Sequence, residues 1–332
     1  MQYCTLGRTG IQVSRLCLGT MSFGGDADEP TSAAMYRRCR DAGINFFDCA
    51  NVYAGGRSEE ILGRLIAGER DQLIIASKVR YPMGPEVNDR GLSRRHIMLS
   101  VEGSLRRLDT DRLDLYFLHG FDEKTPIDES LLTLDDLVHQ GKILYPAVSN
   151  WAAWQIAKAL GISATAGLAR FECIQPMYNL VKRQAEVEIL PMAQSEELAV
   201  ISYSPLGSGL LSGKYGVDLR PESGRLLVNQ MHKLRYSESS YFEIAERFTT
   251  HARARGVHPA SLAVAWVMAH PAITAPIIGA RNVEQLEASL AALEIQMTPE
   301  WRAGISALSP EPPPATDRSE EKSGIVYQGA QR

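Results

Sequence analysis

The 332-residue sequence has no block of lysine or arginine and no interleaving of basic with aromatic residues, and its formal net charge is −4. Nothing in it would neutralise a run of phosphates or lie flat on an anionic lipid surface, so neither a nucleic-acid nor a membrane partner is expected. Cysteine is scarce: there are five, an odd number, with no C-x-x-C pair, and Cys17, Cys39 and Cys173 sit inside apolar runs. That pattern argues against a disulfide framework and for reduced, buried thiols in a cytoplasmic protein. The N-terminal MQYCTLGRTG lacks the basic segment and apolar core of a signal peptide. The longest apolar stretch, LAVAWVMAHPAITAPIIGA from Leu262, is broken by His270, Pro271 and Pro276, and reads as a helix followed by a buried strand rather than a membrane span. No H-E-x-x-H occurs, and His96, His139, His232, His251, His258 and His270 show no ligand spacing and read as mostly surface residues, so no metal is expected.

What is present is rhythm. Hydrophobic residues make up 45% of the chain, enough for a large core. Short β-rich runs alternate with longer segments of helical period, which marks repeated β-α units around a parallel sheet. Eight such runs occur: 15–20, 44–48, 73–78, 113–119, 143–150, 171–175, 198–204 and 272–279. Eight strands with intervening helices close into a (β/α)8 TIM barrel, an α/β fold. Ser58, Ser93 and Thr125-Pro126 are read as helix starts. Ahead of the first strand, QYCTLG and IQVS flank Arg8-Thr9-Gly10 as a short N-terminal β-hairpin that caps the barrel. Residues 1–308 are expected to form a single barrel domain and 309–332, rich in proline and charge, a disordered tail. Pro146 interrupts the fifth run and predicts a bulge there. The polar, turn-rich stretch 216–240 follows the seventh strand and predicts a mobile lid over the C-terminal mouth.

Barrel enzymes carry their chemistry at the C-terminal ends of the strands. Here those ends read Thr20, Asp48, Lys78, His119, Ser149 with Asn150, Gln175, Ser204 and, just past the eighth, Arg281. Tyr53 lies on the loop after the second strand, so Asp48, Tyr53, Lys78 and His119 can all face one mouth. An unperturbed tyrosine, with a pKa near 10, is a poor acid at neutrality. A lysine ammonium beside it is expected to lower that pKa, with an aspartate holding the lysine charged and oriented. Gly55 and Gly56 allow a tight turn after Tyr53.

These motifs resemble the aldo-keto reductase family: D-C-A-N-V-Y-A-G-G-R-S-E (48–59), the ASK ending at Lys78, LDLYFLHGFD (113–122), VSN (148–150), YSPLGSGLLSGKY (203–215) and PIIGARNVEQL (276–286). The resemblance implies a catalytic tetrad of Asp48, Tyr53, Lys78 and His119, with Tyr53 as general acid in carbonyl reduction and His119 orienting the substrate oxygen. It also implies a nicotinamide dinucleotide, although the G-x-G-x-x-G signature is missing and GSGLLSG (207–213) only approaches it. By the same resemblance Ser204, Leu206, Gly209 and Lys214 contact the pyrophosphate, Tyr203 stacks on the nicotinamide, and Ser149, Asn150 and Gln175 clamp its carboxamide. Gly19 and Thr20, at the end of the first strand, are included in the cofactor set, as are Gly279, Arg281, Gln285 and Ser289. Arg281, near a helix start, suits a 2′-phosphate, so NADPH/NADP+ is expected over NADH. Ala288-Ser289 stands where the family often carries Glu-Asn or Asp-Asn.

The partner implied is a small carbonyl compound, or a sugar or alcohol if the reaction runs in reverse as a dehydrogenase. The potassium-channel β subunits also resemble the family, which leaves a cofactor-sensing regulatory subunit as a rival; the lack of an extended segment before the barrel counts against it. Met21, Phe23, Tyr81, Phe121 and Trp151 lie just past strand ends, where they can line an apolar substrate pocket or serve loop packing.

Overall fold

The structure, a computed structural model, describes residues 1–318 and 320. Strands β1 (Tyr3–Thr5) and β2 (Gln12–Ser14) form an antiparallel hairpin. Eight parallel strands follow: β3 (Cys17–Gly19), β4 (Phe46–Asp48), β5 (Ile74–Val79), β6 (Leu113–Leu118), β7 (Ile143–Ser149), β8 (Cys173–Gln175), β9 (Ala199–Ser202) and β10 (Ala275–Ile278). They close in the order β10-β3-β4-β5-β6-β7-β8-β9, so each expected run supplies one stave of a (β/α)8 barrel.

The helices are α1 (Glu29–Asp41), α2 (Arg57–Ile66), α3 (Arg94–Leu108), α4 (Ile127–His139), α5 (Ala153–Ala166) and α6 (Ile189–Ser195), then α7 (Arg225–Val228), α8 (Gln230–Arg235), α9 (Ser239–Ala254), α10 (Pro259–Met268), α11 (Val283–Leu290) and α12 (Pro299–Ser306). Ser93 caps α3 as expected, accepting from the His96 N–H. Ser58 does not cap α2. That helix starts after Gly56, whose left-handed φ of 99° makes the turn, and the Ser58 hydroxyl donates inward to the Thr20 carbonyl at 2.8 Å.

The strands read as continuous apolar runs because both faces are covered. Alternate residues split between two cores. Phe46, Ala76, Phe117, Ala147, Cys173 and Ile201 fill the barrel interior. Their neighbours Phe47, Ile75, Leu118, Val148, Ile174 and Val200 pack outward under the helices. Mixing bulky with small interior side chains fills the barrel in layers, leaving a packed core rather than a pore.

The hairpin closes the end where the strands begin. Leu6 and Val13 are fully buried within the interior cluster, and the backbone at Gly7 (φ 53°) lies so close that an added Cβ would stand 2.9 Å from the Ala199 nitrogen. Pro146 makes no bulge. Register across β6 and β7 is continuous through Tyr116↔Pro146, and its carbonyl accepts from the Glu172 N–H. In a strand the N and C=O of one residue face the same neighbour, so the proline nitrogen points at chain preceding the first residue of β8, where no ladder bond is lost.

Stretch 216–240 contains α7, α8 and the start of α9 rather than turns alone, and it borders the mouth. Residues 310–318 form no helix or strand; 319 and 321–332, the rest of the expected tail, lie outside the described residues. No helix among the described residues is long and apolar enough to cross a membrane.

The hairpin plug is testable. Leu6→Ala removes a fully buried side chain from the interior cluster and should cost about 2–5 kcal/mol in urea unfolding. A loss under about 0.5 kcal/mol would show that the hairpin is dispensable to the barrel.

Candidate active site

The period-2 alternation that fills the barrel also builds the site. Phe46, Ala76, Phe117 and Cys173 point inward, so Asp48, Lys78, His119 and Gln175, each two residues on, form the top layer of the interior. Asp48 and Lys78 are buried, and the Lys78 ammonium donates to Asp48 Oδ2 at 2.6 Å, to the Cys49 carbonyl at 2.6 Å and to Tyr53 Oη at 3.3 Å. All three of its donors are used. The other carboxylate oxygen, Asp48 Oδ1, accepts from Gln175 Nε2 across the barrel at 2.9 Å. His119 completes the group, its ring edge-on to Tyr53 (centroids 6.0 Å) and to Tyr81 (4.9 Å). The four side chains expected to act together are therefore one cluster.

Tyr53 is carried on a strained turn. Ala54 (φ 48°), Gly55 (φ 63°) and Gly56 (φ 99°) are all left-handed, and α2 begins directly behind them. What braces this turn is absent from the motif reading. Glu59, fully buried, accepts from Ser77 Oγ at 2.5 Å, next to Lys78 in β5, and from Arg107 Nε at 2.7 Å. A Cβ on Gly56 would stand 2.8 Å from the Arg107 side chain. Only the burial of Glu59, unreadable without the fold, separates this brace from an ordinary charged first turn.

The electrostatics correct one expectation. Burial pushes the Tyr53 phenol up to about 12, and Lys78, which acts downward as anticipated, only partly offsets it. Removing a phenolate from water outweighs one ammonium that already shares its charge with Asp48. Lys78 itself is held above its ordinary value: burial opposes the charge, but Asp48 and the phenol more than restore it. Burial, helped by Lys78 and Arg80, pushes His119 well down. At neutrality the site thus holds a protonated phenol beside an ammonium and a neutral imidazole.

A cavity of about 780 Å³ opens above this layer. Gly19, Asn150, Gln175, Tyr203, Ser204 and Leu206 line it, as do Gly209, Lys214, Gly279, Arg281 and Gln285. Thr20, Ser149 and Ser289 do not. Thr20 is buried and donates to the Asp48 carbonyl, Ser149 Oγ donates to the Gln175 carbonyl, and Ser289 is buried beside Ala288, which reaches the cavity instead. These three support the wall rather than form it.

Met21 and Tyr81 border the cavity, whereas Phe23 is fully buried and Phe121 and Trp151 pack edge-on against each other, centroids 5.0 Å apart, outside the lining. Loop packing accounts for those three. His232, expected at the surface, is buried in α8 with Nδ1 2.6 Å from Ser208 Oγ, and His96 is buried in α3. Arg225 and Arg235 also line the cavity and were not singled out. No group of three or more His, Cys, Asp or Glu among the described residues could hold a metal.

Two outcomes check this geometry. Lys78→Met strands the buried Asp48 carboxylate and should destabilise the fold by about 3–5 kcal/mol in urea titration; adding Asp48→Asn should recover part of that loss, and strict additivity would mean the pair is not coupled. In protein labelled with 13C at the tyrosine ζ carbon, the Tyr53 resonance, assigned with Tyr53→Phe, should keep the shift of a protonated phenol beyond roughly pH 10. A phenolate shift at neutrality would contradict the balance given above.

Comparisons with known proteins show the family. Residues 15–309 match the Aldo/keto reductase family. The chain is 40% identical to the uncharacterized oxidoreductase YrpG of Bacillus subtilis (strain 168), over 94% of this chain and 97% of that one. It is 35% identical to a probable voltage-gated potassium channel subunit beta of Oryza sativa subsp. japonica, over 96% and 99%. Norsolorinic acid reductase stcV of Emericella nidulans is 38% identical, over 88% and 77%. With the closed barrel, its tetrad layer and a family match across nearly the whole length, the chain belongs to the aldo/keto reductase family of oxidoreductases.

Proposed function

We propose that the protein reduces aldehyde or ketone carbonyls with NADPH, Tyr53 serving as general acid. The observation that carries this reading is the contact of Lys78 Nζ with both Asp48 Oδ2 (2.6 Å) and Tyr53 Oη (3.3 Å) beneath an open cavity. A phenol held protonated at neutrality is an acid ready to give up its proton, provided that the phenolate it leaves is stabilised. The adjacent ammonium supplies that stabilisation, and Asp48 keeps the ammonium charged and aimed. Neutral His119 offers an N–H to the same carbonyl oxygen. General acid catalysis of this kind contributes on the order of 10² to 10⁴ in rate, with positioning supplying much of the rest.

The cavity fits a nicotinamide dinucleotide, which when bound supplies the hydride. Ser204 (φ 58°), Ser208 (φ 59°) and Gly209 (φ 97°) are left-handed residues in one short segment; such turns set backbone N–H groups on their inner side, the arrangement that holds phosphate oxygens. Lys214 and Arg225 add positive charge along the same cavity. Arg281, just ahead of α11, lines the cavity and has no ion pair among the described residues, so its charge would complement a 2′-phosphate, which supports NADPH over NADH. Gln175 and Asn150 present amide groups toward the reacting end, and Tyr203, donating to Asn150 Oδ1 at 2.8 Å, offers a ring face there.

The same residues serve the reverse reaction, oxidation of a sugar or alcohol, with Tyr53 taking the proton. A cofactor-sensing subunit is a second reading, favoured by the rice relative and by a probable voltage-gated potassium channel subunit beta of Arabidopsis thaliana, 34% identical over 89% of this chain. Tight NADPH binding without turnover of any carbonyl or alcohol, together with a co-purifying partner, would favour it. Tyr53→Phe decides the chemical role: it should bind NADPH as the parent does while losing at least about 100-fold in turnover of a carbonyl panel. Activity within tenfold of the parent would remove Tyr53 from the mechanism.

A further inference from the structure

The backbone of His119 is tied on both sides: its N–H donates to the Val79 carbonyl at 2.9 Å and its carbonyl accepts from Asn150 Nδ2 at 3.0 Å. The ring has no such tie. It borders the cavity, and Nδ1 is buried with no hydrogen-bond partner among the described residues. A histidine that works at a site is ordinarily fixed in tautomer and direction by a bond at its second nitrogen. Here that bond is missing, and packing has to set the ring instead.

Two phenol rings stand edge-on to the imidazole, Tyr53 at 6.0 Å and Tyr81 at 4.9 Å between centroids. The nearer one, Tyr81, lines the cavity and is itself backed by a cation, because the Arg80 guanidinium lies over its ring, 5.0 Å from the centroid. Arg80 is half-buried and does not border the cavity, so it stands behind this wall rather than in it. Its Nε also donates to the Phe121 carbonyl at 2.9 Å. Between these contacts the chain runs close: a Cβ on Gly120 would stand 3.2 Å from Arg80 Cδ and 3.6 Å from the Tyr81 hydroxyl. One side chain therefore secures both the ring that touches the imidazole and the backbone that leaves it. Burial and the cations of Lys78 and Arg80 keep His119 neutral, and with no acceptor for a proton on Nδ1 the proton belongs on Nε2, the nitrogen left to the cavity.

We propose that Arg80 is a positioning residue that acts through Tyr81 and the Phe121 carbonyl to set the His119 ring, so that its Nε2–H meets the carbonyl oxygen of the substrate. Arg80 itself touches no substrate. The effect on rate rests on the carbonyl-reductase reading, whereas the state of the ring does not depend on turnover.

The test joins kinetics to histidine NMR in the parent, Arg80→Met, Arg80→Lys, His119→Ala and the double variant Arg80→Met with His119→Ala, each checked for folding by urea titration. With 4-nitrobenzaldehyde and NADPH, Arg80→Met should lower kcat about tenfold or more, the scale of a misdirected group, and leave the NADPH Kd unchanged. Arg80→Lys keeps a cation over Tyr81 and should recover part of the loss. In the His119→Ala background, Arg80→Met should cost less than about twofold, because its effect runs through the ring. In protein labelled with 15N at histidine, with the His119 signals assigned by their absence in His119→Ala, the parent should show a protonated Nε2 and a bare Nδ1, and Arg80→Met a mixture of both tautomers.

Equal fractional losses from Arg80→Met in the two backgrounds would overturn the proposal, since a merely structural role predicts them. So would a parent ring protonated at Nδ1, a His119 spectrum unchanged in Arg80→Met, or a rise in the NADPH Kd, which would assign Arg80 to the cofactor. Should Arg80→Met not fold, Arg80→Gln replaces it with the same expectations. If the parent reduces no aldehyde, the carbonyl-reductase reading fails on its own and the spectra still decide on Arg80: mixed tautomers in the variant support it, and an unchanged ring ends it.

Discussion

Two opposite charges buried together at the top of the barrel set the terms for everything around them. Taking an ammonium and a carboxylate out of water costs several kcal/mol each, and their attraction compensates only where the remaining donors and acceptors are also met. Here that condition holds. Lys78 spends its three donors on Asp48, the Cys49 carbonyl and Tyr53, and Asp48 accepts from Lys78 on one oxygen and Gln175 on the other. Such a pair has little to recommend it as a source of stability, since apolar residues of like volume would serve as well. What it provides is a fixed and fully buried positive charge against one phenol.

The same burial explains why the phenol is held protonated rather than as a standing phenolate. Desolvation lifts it to about 12 and the lysine brings it only part of the way back. The reduction proposed above needs the proton in place beforehand and a counter-charge waiting afterwards, and the balance of these two influences suits both. Holding the phenol at that spot requires the left-handed turn after Val52, and the turn is braced by a second buried acid, Glu59, which ties α2 to Ser77 in β5 and to Arg107 in α3. Chemistry and scaffold meet in adjacent residues, Ser77 and Lys78.

Much of this was readable from residue order alone, and for a physical reason. A barrel strand alternates strictly, so once Phe46 or Cys173 is inward, the polar residue two positions on must cap the same column; strand ends therefore announced Asp48, Lys78, His119 and Gln175. Quantities that depend on packing against distant chain were not readable. Phe23, Phe121 and Trp151 lie near the right strand ends but pack into or against the outer core, and Thr20, Ser149 and Ser289 sit behind the cavity wall. Pro146 signals a bulge because the rule for central strands ignores where a neighbour begins; with β8 starting only at Cys173, the missing donor faces chain that lies before the ladder. The sign of the Tyr53 shift was missed because the ammonium is visible in the motif while the depth of burial is not. His232 and Arg235 lay in a stretch whose polarity suggested turns, and short helices hid there.

Ring closure has a consequence for how the site is put together. Gln175 meets Asp48 from 127 positions away, and the circle is completed only when Ile277 of β10 pairs with Cys17 of β3. The pairing of β4 with β5 brings the lysine to its aspartate, but the amide on the second carboxylate oxygen comes from β8, on the other side of the barrel. Asp48 therefore has both oxygens met only where β8 has taken its place in the circle, and the site layer is a property of the closed ring rather than of any one stave.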